Sequence, residues 1–283
     1  MSTPSNISYA DAGGVRLATV STGTGTPVVF IHELAGDMRN WEPQVRAFSR
    51  RHRCLTFNAR GYPPSDVPSD PLRYSQALAI GDLVAVLRHH AVDRAHVVGL
   101  SMGGYAALKF AVAHPDKTLS VVAAGTGHGS DPRTRDEFLA GTAALADRIE
   151  NLGLKVGGHD YLHGPTRRRF REKDPDGFAA FNRQFAERSA VGTALTIRGC
   201  QLQRPTLQEL EPQLARLSVP TLVVAGDDDD PCLAAGVYLK QTIPDARLCV
   251  LPRTTHTVNL EEPDAFDRVV LDFLADVDGS RRS

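Results

Sequence analysis

The chain has 283 residues, 42% of them hydrophobic and 23% charged, with a formal net charge of −1. These values fit one large globular domain, or one domain with an insertion. They exclude the charge excess of a protein that binds nucleic acid or an anionic membrane surface. The first residues are polar without a basic-then-apolar leader, and no stretch approaches the ~18 continuous apolar residues of a membrane span. A cytoplasmic protein is expected.

In chain order, strand patterns fall at residues 7–10, 15–21, 27–31, 53–58, 95–99, 119–124, 221–226 and 247–251. Asp-Ala-Gly-Gly separates the first two and predicts an antiparallel hairpin at a sheet edge. The runs VVFI, HVVG, SVVAA and TLVVAG are almost wholly apolar. Such runs belong to strands buried on both faces of a mostly parallel sheet. Helical patterns at 41–48, 74–90, 101–114, 207–217, 233–241 and 263–276 alternate with the strands, as in a doubly wound α/β fold.

Residues 128–205 break this alternation. Helical stretches at 135–150, 166–173, 176–188 and 189–201 follow one another without a strand. They predict a helical lid inserted into a core formed by residues 1–127 and 206–283. Its arginines, Arg167, Arg168, Arg169 and Arg171, read as an exposed basic face. Cys54, Cys200, Cys232 and Cys249 form no C-x-x-C pair and read as buried free thiols.

The chemistry centres on HVVGLSMGGY, where Gly99, Ser101 and Gly103 make G-x-S-x-G between a strand and a helix. In that context the serine occupies a sharp turn, with its oxygen exposed at the carboxyl edge of the sheet. A serine hydroxyl needs a base to take its proton. Of ten histidines, His52, His89, His90 and His114 sit at helix or turn edges and read as solvated, while His96 opens a strand. His256 stands in a polar loop after the last strand and is the candidate base. An acid must then orient the imidazole. Asp227 to Asp230 end a buried strand, and one of these four need only point inward. The order serine, aspartate, histidine is the one expected for this scaffold. No G-x-x-x-x-G-K-[ST] loop or G-x-G-x-x-G fingerprint occurs, so no nucleotide or flavin cofactor is implied, and no metal is expected.

FIHELAGDMRNW, NARGYPPSD, VVGLSMGGY, LVVAGDDDDP and HTVNLEEP, in this order, resemble the α/β-hydrolase fold superfamily over nearly the whole chain. The resemblance is to its lid-bearing esterases, lactonases, C–C hydrolases and haloperoxidase-like enzymes. It implies an eight-stranded, mostly parallel sheet with helices on both faces. It maps the acid onto Asp229, with Asp228 and Asp230 as the neighbouring registers. It further implies an oxyanion hole from the N–H groups of Leu34 and Met102. His32, Glu33 and His128 are the candidate substrate-binding residues. The expected activity is hydrolysis of a small or medium ester or lactone by Ser101, His256 and Asp229. C–C cleavage, a haloperoxidase-like reaction and ligand binding with little turnover are the alternatives. The partner expected is a small-molecule substrate, with neither nucleic acid nor membrane.

Two departures stand out. Asn58 begins a stretch where the superfamily usually has Asp-x-Arg-Gly, and Glu33 stands where it usually has glycine. A carboxylate about 5 Å from an oxyanion would repel it by about 3 kcal/mol at an effective dielectric near 20. That cancels roughly one oxyanion-hole donor. Glu33 is therefore expected to turn away and pair with a cation, Arg39 or Arg60 being near in sequence. The other two arrangements are a protonated Glu33 that donates to substrate and a second acid/base beside the triad.

Overall fold

The computed structural model describes residues 6–280. Eight strands form one sheet in the order β1-β2-β4-β3-β5-β6-β7-β8. They are β1 (Ser8–Asp11), β2 (Arg16–Thr22), β3 (Thr26–Ile31), β4 (His52–Phe57), β5 (Ala95–Leu100), β6 (Thr118–Ala124), β7 (Thr221–Gly226) and β8 (Ala246–Leu251). Only β2 runs against its neighbours; it pairs antiparallel with both β1 and β4. The central strands β5, β6 and β7 are buried along their full length, as their apolar runs require.

Helices cover both faces. On one side lie α2 (Gln76–His89), α3 (Met102–Ala113) and α10 (Asp230–Thr242), which contribute Leu83, Leu108 and Leu239 to a core shared with Val29, Val97 and Val223. On the other side, α1 (Glu42–Phe48) and α12 (Pro263–Ser280) set Phe48, Phe266 and Phe273 against Phe30, Val98 and Val122. The hairpin at the β1 edge forms as expected. The helix expected over 207–217 does not: only α9 (Glu211–Leu214) is helical. Leu207, Leu210, Leu214 and Leu217 are all buried, but N–H bonds to the third residue back, such as Leu217 to Leu214, hold the flanking turns. The apolar spacing there reported burial and not a regular helix.

Between β6 and β7, neighbours in the sheet, come α4 (Arg135–Gly157), α5 (His159–His163), α6 (Arg168–Lys173), α7 (Pro175–Ala186), α8 (Ala190–Thr196) and a π-helical turn at Ile197–Gln201 before α9. Gly153, at φ 73°, breaks α4 near its end. These helices share a core of their own, with Leu145, Ile149, Phe170, Phe181 and Phe185, and that core packs onto Leu34 and Ala35 just after β3. Among the described residues no helix is long and apolar enough to cross a membrane.

Candidate active site

The strand-to-helix turn after β5 sets Ser101 at φ 56° and ψ −112°, a conformation an L-residue rarely adopts. The flanking glycines explain why the turn closes. A Cβ on Gly99 would lie 2.1 Å from the Gly103 carbonyl oxygen, and one on Gly103 would lie 2.1 Å from the Ile31 carbonyl oxygen. Only bare backbone lets α3 start this close to β3 and β5.

His256 lies on the loop after β8. Its Nε2 is 2.7 Å from Ser101 Oγ and its Nδ1 is 2.7 Å from Asp229 Oδ2. A carboxylate only accepts, so Nδ1 carries the proton and Nε2 is left to accept the serine hydroxyl. Asp229 is 2% exposed. Burial pushes its carboxyl up, yet the charge and hydrogen bond of His256 outweigh this and hold it below the usual range. Its neighbours face outward: Asp227, Asp228 and Asp230 are exposed, and Asp228 pairs with Arg168 and Arg169. The geometry thus selects Asp229 from the run of four.

Leu34 and Met102 flank the serine. Met102 opens α3, where the first N–H groups of a helix have no acceptor within it. The Leu34 N–H meets no backbone acceptor among the described residues. Its direction is set through its own peptide plane. Glu33 O, on the other side of that plane, accepts from His32 Nδ1 at 2.8 Å and from the Gly36 N–H at 3.2 Å. His32 Nε2 in turn accepts the Ala59 N–H at 3.1 Å. Both ring nitrogens therefore serve the loop. Burial lowers the His32 pKa to about 4 and keeps the ring neutral. His32 holds the loop that carries Leu34, with both ring nitrogens engaged by backbone there, where a contact to substrate was expected of it. Asn58 fits the same network: its Oδ1 accepts the Met38 N–H and its Nδ2 donates to Pro63 O, which an aspartate cannot do.

Glu33 turns away and pairs with a cation, as expected, but with a different one. Its Oε2 accepts from Arg167 Nη2 at 2.5 Å, and both side chains are 1% exposed. Arg39 instead pairs with Asp37 and Glu187, and Arg60 pairs with Asp82. Sequence distance misled here, because the partner lies 134 positions away. Arg167 also departs from the exposed basic face expected for its segment. Nearby, Arg188 donates from Nη1 to Leu34 O at 2.7 Å and to Gly36 O at 2.8 Å. His128 is exposed, with its ring edge-on to Phe138 at 5.1 Å. His52, expected at the surface, is buried beside Phe48.

Two further residues support His256. Glu261, the last residue of α11 (Val258–Glu261), is 5% exposed and takes the N–H groups of Thr255 and Thr257 at 2.7 and 2.9 Å. The signal was present as Thr-His-Thr followed within a turn by an acid. Cys232 Sγ lies 3.7 Å from His256 Nδ1 and donates to Gly125 O. Asp229, Cys232 and His256 offer ligand atoms within 4.8 Å of one another. Two of those atoms already share a proton, and burial pushes the Cys232 thiol well up, which disfavours the thiolate a metal needs. The other thiols, Cys54 and Cys200, are buried and Cys249 is half-buried.

The family described as alpha/beta hydrolase fold matches residues 26–263 of the chain. The 3-oxoadipate enol-lactonase 2 of Acinetobacter baylyi is 26% identical over 263 residues, which cover 90% of this chain and 91% of the relative. A putative non-heme bromoperoxidase of Mycobacterium tuberculosis is 29% identical over 282 residues, covering 93% and 99%. Among solved structures, the enol-lactonase from Burkholderia xenovorans LB400 aligns with a TM-score of 0.81 at 27% identity, over 95% of this chain and 100% of that one.

Proposed function

Since the chain belongs to the alpha/beta hydrolase fold family, we propose that it is a serine hydrolase cleaving a small or medium carboxylic ester or lactone. One observation carries the reading: the His256 ring lies between Ser101 Oγ and Asp229 Oδ2, 2.7 Å from each. Similarity to two enol-lactonases favours the lactone among these substrates.

In this reading Ser101 Oγ attacks the carbonyl carbon while His256 Nε2 takes its proton. The carbonyl oxygen becomes an anion held by the Leu34 and Met102 N–H groups. Asp229 stays ionised and stabilises the imidazolium. The imidazolium then gives its proton to the leaving alkoxide as the C–O bond breaks. For a lactone, that oxygen remains attached to the acyl chain. Water, deprotonated by His256, releases the acid and restores Ser101. A small, mostly apolar cavity bordered by Ile31, Phe57, Tyr74, Met102, Ala106 and Cys200, with the Arg60–Asp82 pair also in its wall, lies next to the nucleophile's helix. The helical run 128–205 serves as the lid over the site.

A fluorophosphonate probe followed by a panel of acyl esters and lactones tests this. Labelling of Ser101, with labelling and turnover both lost in Ser101→Ala, is expected. A folded protein that hydrolyses these substrates without Ser101, or that never labels, would overturn the reading.

A further inference from the structure

Resting on that reading, we propose that Arg167 is a positioning residue: it ties the loop of the Leu34 donor to the loop of His256, so that both are set only when the helical segment is docked. The bridge is two residues long. Thr166 O accepts the His256 N–H at 3.2 Å. The next residue, Arg167, donates to Glu33, which directly precedes Leu34. One short piece of chain thus holds the base on one side and the oxyanion donor on the other.

The rest of the segment grips the same two loops. Arg168 and Arg169 turn outward to Asp228, and Lys173 reaches Glu262, so these partly exposed contacts lie on the acid and base side. The end of α7 holds the other side: Arg188 donates to Leu34 O and Gly36 O, and Glu187 pairs with Arg39. Arg167 crosses from the first group to the second.

Stability alone does not account for a charge at this position. The Arg167 guanidinium lies 5.8 Å from the ring centres of both Tyr161 and Phe181, where an apolar side chain would pack. Well-packed apolar residues commonly match or exceed a buried ion pair in stability. An ion pair adds direction and intolerance of a half-formed contact, because either charge left buried alone is costly. Docking of the segment and alignment of the two loops therefore occur together, which a greasy contact would not enforce.

The test compares wild type with Arg167→Met, Arg167→Lys, Glu33→Gln and the double variant Glu33→Gln/Arg167→Met. It reads kcat and KM on one ester, and hydrogen exchange at the His256 and Gly36 amides. Arg167→Met and the double variant should lose about 10²-fold in kcat, the scale of a misplaced catalytic group, while KM moves less than about threefold. Exchange at both amides should rise together, and Arg167→Lys should recover part of the loss. If Arg167→Met does not fold, the lysine and double variants carry the test, since neither buries a lone charge. A folded double variant with wild-type kcat would reduce the pair to a structural role and overturn the proposal. So would an exchange change confined to one loop. A wild type inert to fluorophosphonate would sink the hydrolase reading instead, and the exchange data would still decide whether Arg167 couples the loops.

Discussion

Glu261 holds His256 in place without touching it: its carboxylate takes the N–H groups of Thr255 and Thr257, the residues on either side, and both their hydroxyls as well. Four donors converge on one buried carboxylate, so the backbone at the base cannot rotate without breaking several charge-assisted bonds. Glu261→Gln keeps the shape but puts an NH₂ group against a donor. It should cost about 1.5–3 kcal/mol of stability. Turnover should fall about tenfold or more, as the ring moves off the Ser101–Asp229 line. Thermal unfolding and kcat on one ester check both. Wild-type values for each would mean that the loop is held elsewhere.

Asp229→Asn should be far more damaging than the same change at Asp227, Asp228 or Asp230. An amide at 229 offers His256 Nδ1 either an acceptor or a donor, and so no longer fixes the tautomer. In a serine protease that swap costs about 10⁴-fold in turnover. Asp228→Asn removes only exposed ion pairs to Arg168 and Arg169, which water screens, and activity should stay within about threefold. Steady-state kinetics on the four variants decide the matter. A crippled Asp230→Asn with a healthy Asp229→Asn would move the acid by one residue.

His32 should make the fold acid-sensitive. Its pKa falls from the ordinary 6.5 to about 4 because the ring is buried. The unfolded chain therefore binds a proton at a higher pH than the folded one. The stabilisation is complete above pH 6.5 and is lost as the pH falls from there to about 4. The full loss amounts to about 3 kcal/mol, at 1.36 kcal/mol per unit. Denaturant unfolding at several pH values should show stability dropping across this window. His32→Gln should be weaker at pH 7 but flatter with pH. An equally steep variant would assign the acid sensitivity to other groups, such as His90, which burial also lowers to about 4.

β3, β5, β6 and β7 were legible because burial on both faces leaves continuous apolar runs such as TLVVAG, and the other four strands also stand where strand patterns fall, although β1 and β8 are partly exposed. The serine and histidine were legible because the G-x-S-x-G turn and a lone loop histidine are local patterns. The aspartate register was legible only through the resemblance, which places the acid at 229; read from the residues alone, four identical aspartates differ only in which way the chain turns after Gly226, and packing is what buries 229. Glu33 could be argued to need a cation from electrostatics alone. The identity of Arg167 could not, because it depends on how the segment folds back over β3. Leu207 to Leu217 misled for the converse reason, since helical spacing of leucines also arises where successive tight turns face a core.

Two glycines on helices should respond in opposite ways to alanine. Gly103 lies in the first turn of α3, and a Cβ there would sit 2.1 Å from Ile31 O and 2.8 Å from His32 O. Those carbonyls belong to the end of β3 and the start of the loop that carries Leu34, so neither moves without disturbing Leu34. Gly103→Ala should cost about 3 kcal/mol or more, the upper range for overpacking, and lower the rate of phosphonate labelling at Ser101. Gly141 lies on the exposed side of α4, and a Cβ added there would meet no atom within 4 Å. At that position alanine only removes conformational freedom from the unfolded chain, and Gly141→Ala should gain about 0.5–1 kcal/mol. Chemical denaturation of the pair, with labelling rates alongside, checks both signs. A Gly103→Ala variant as stable and as reactive as wild type would mean that α3 and β3 do not approach as closely as the G-x-S-x-G turn requires.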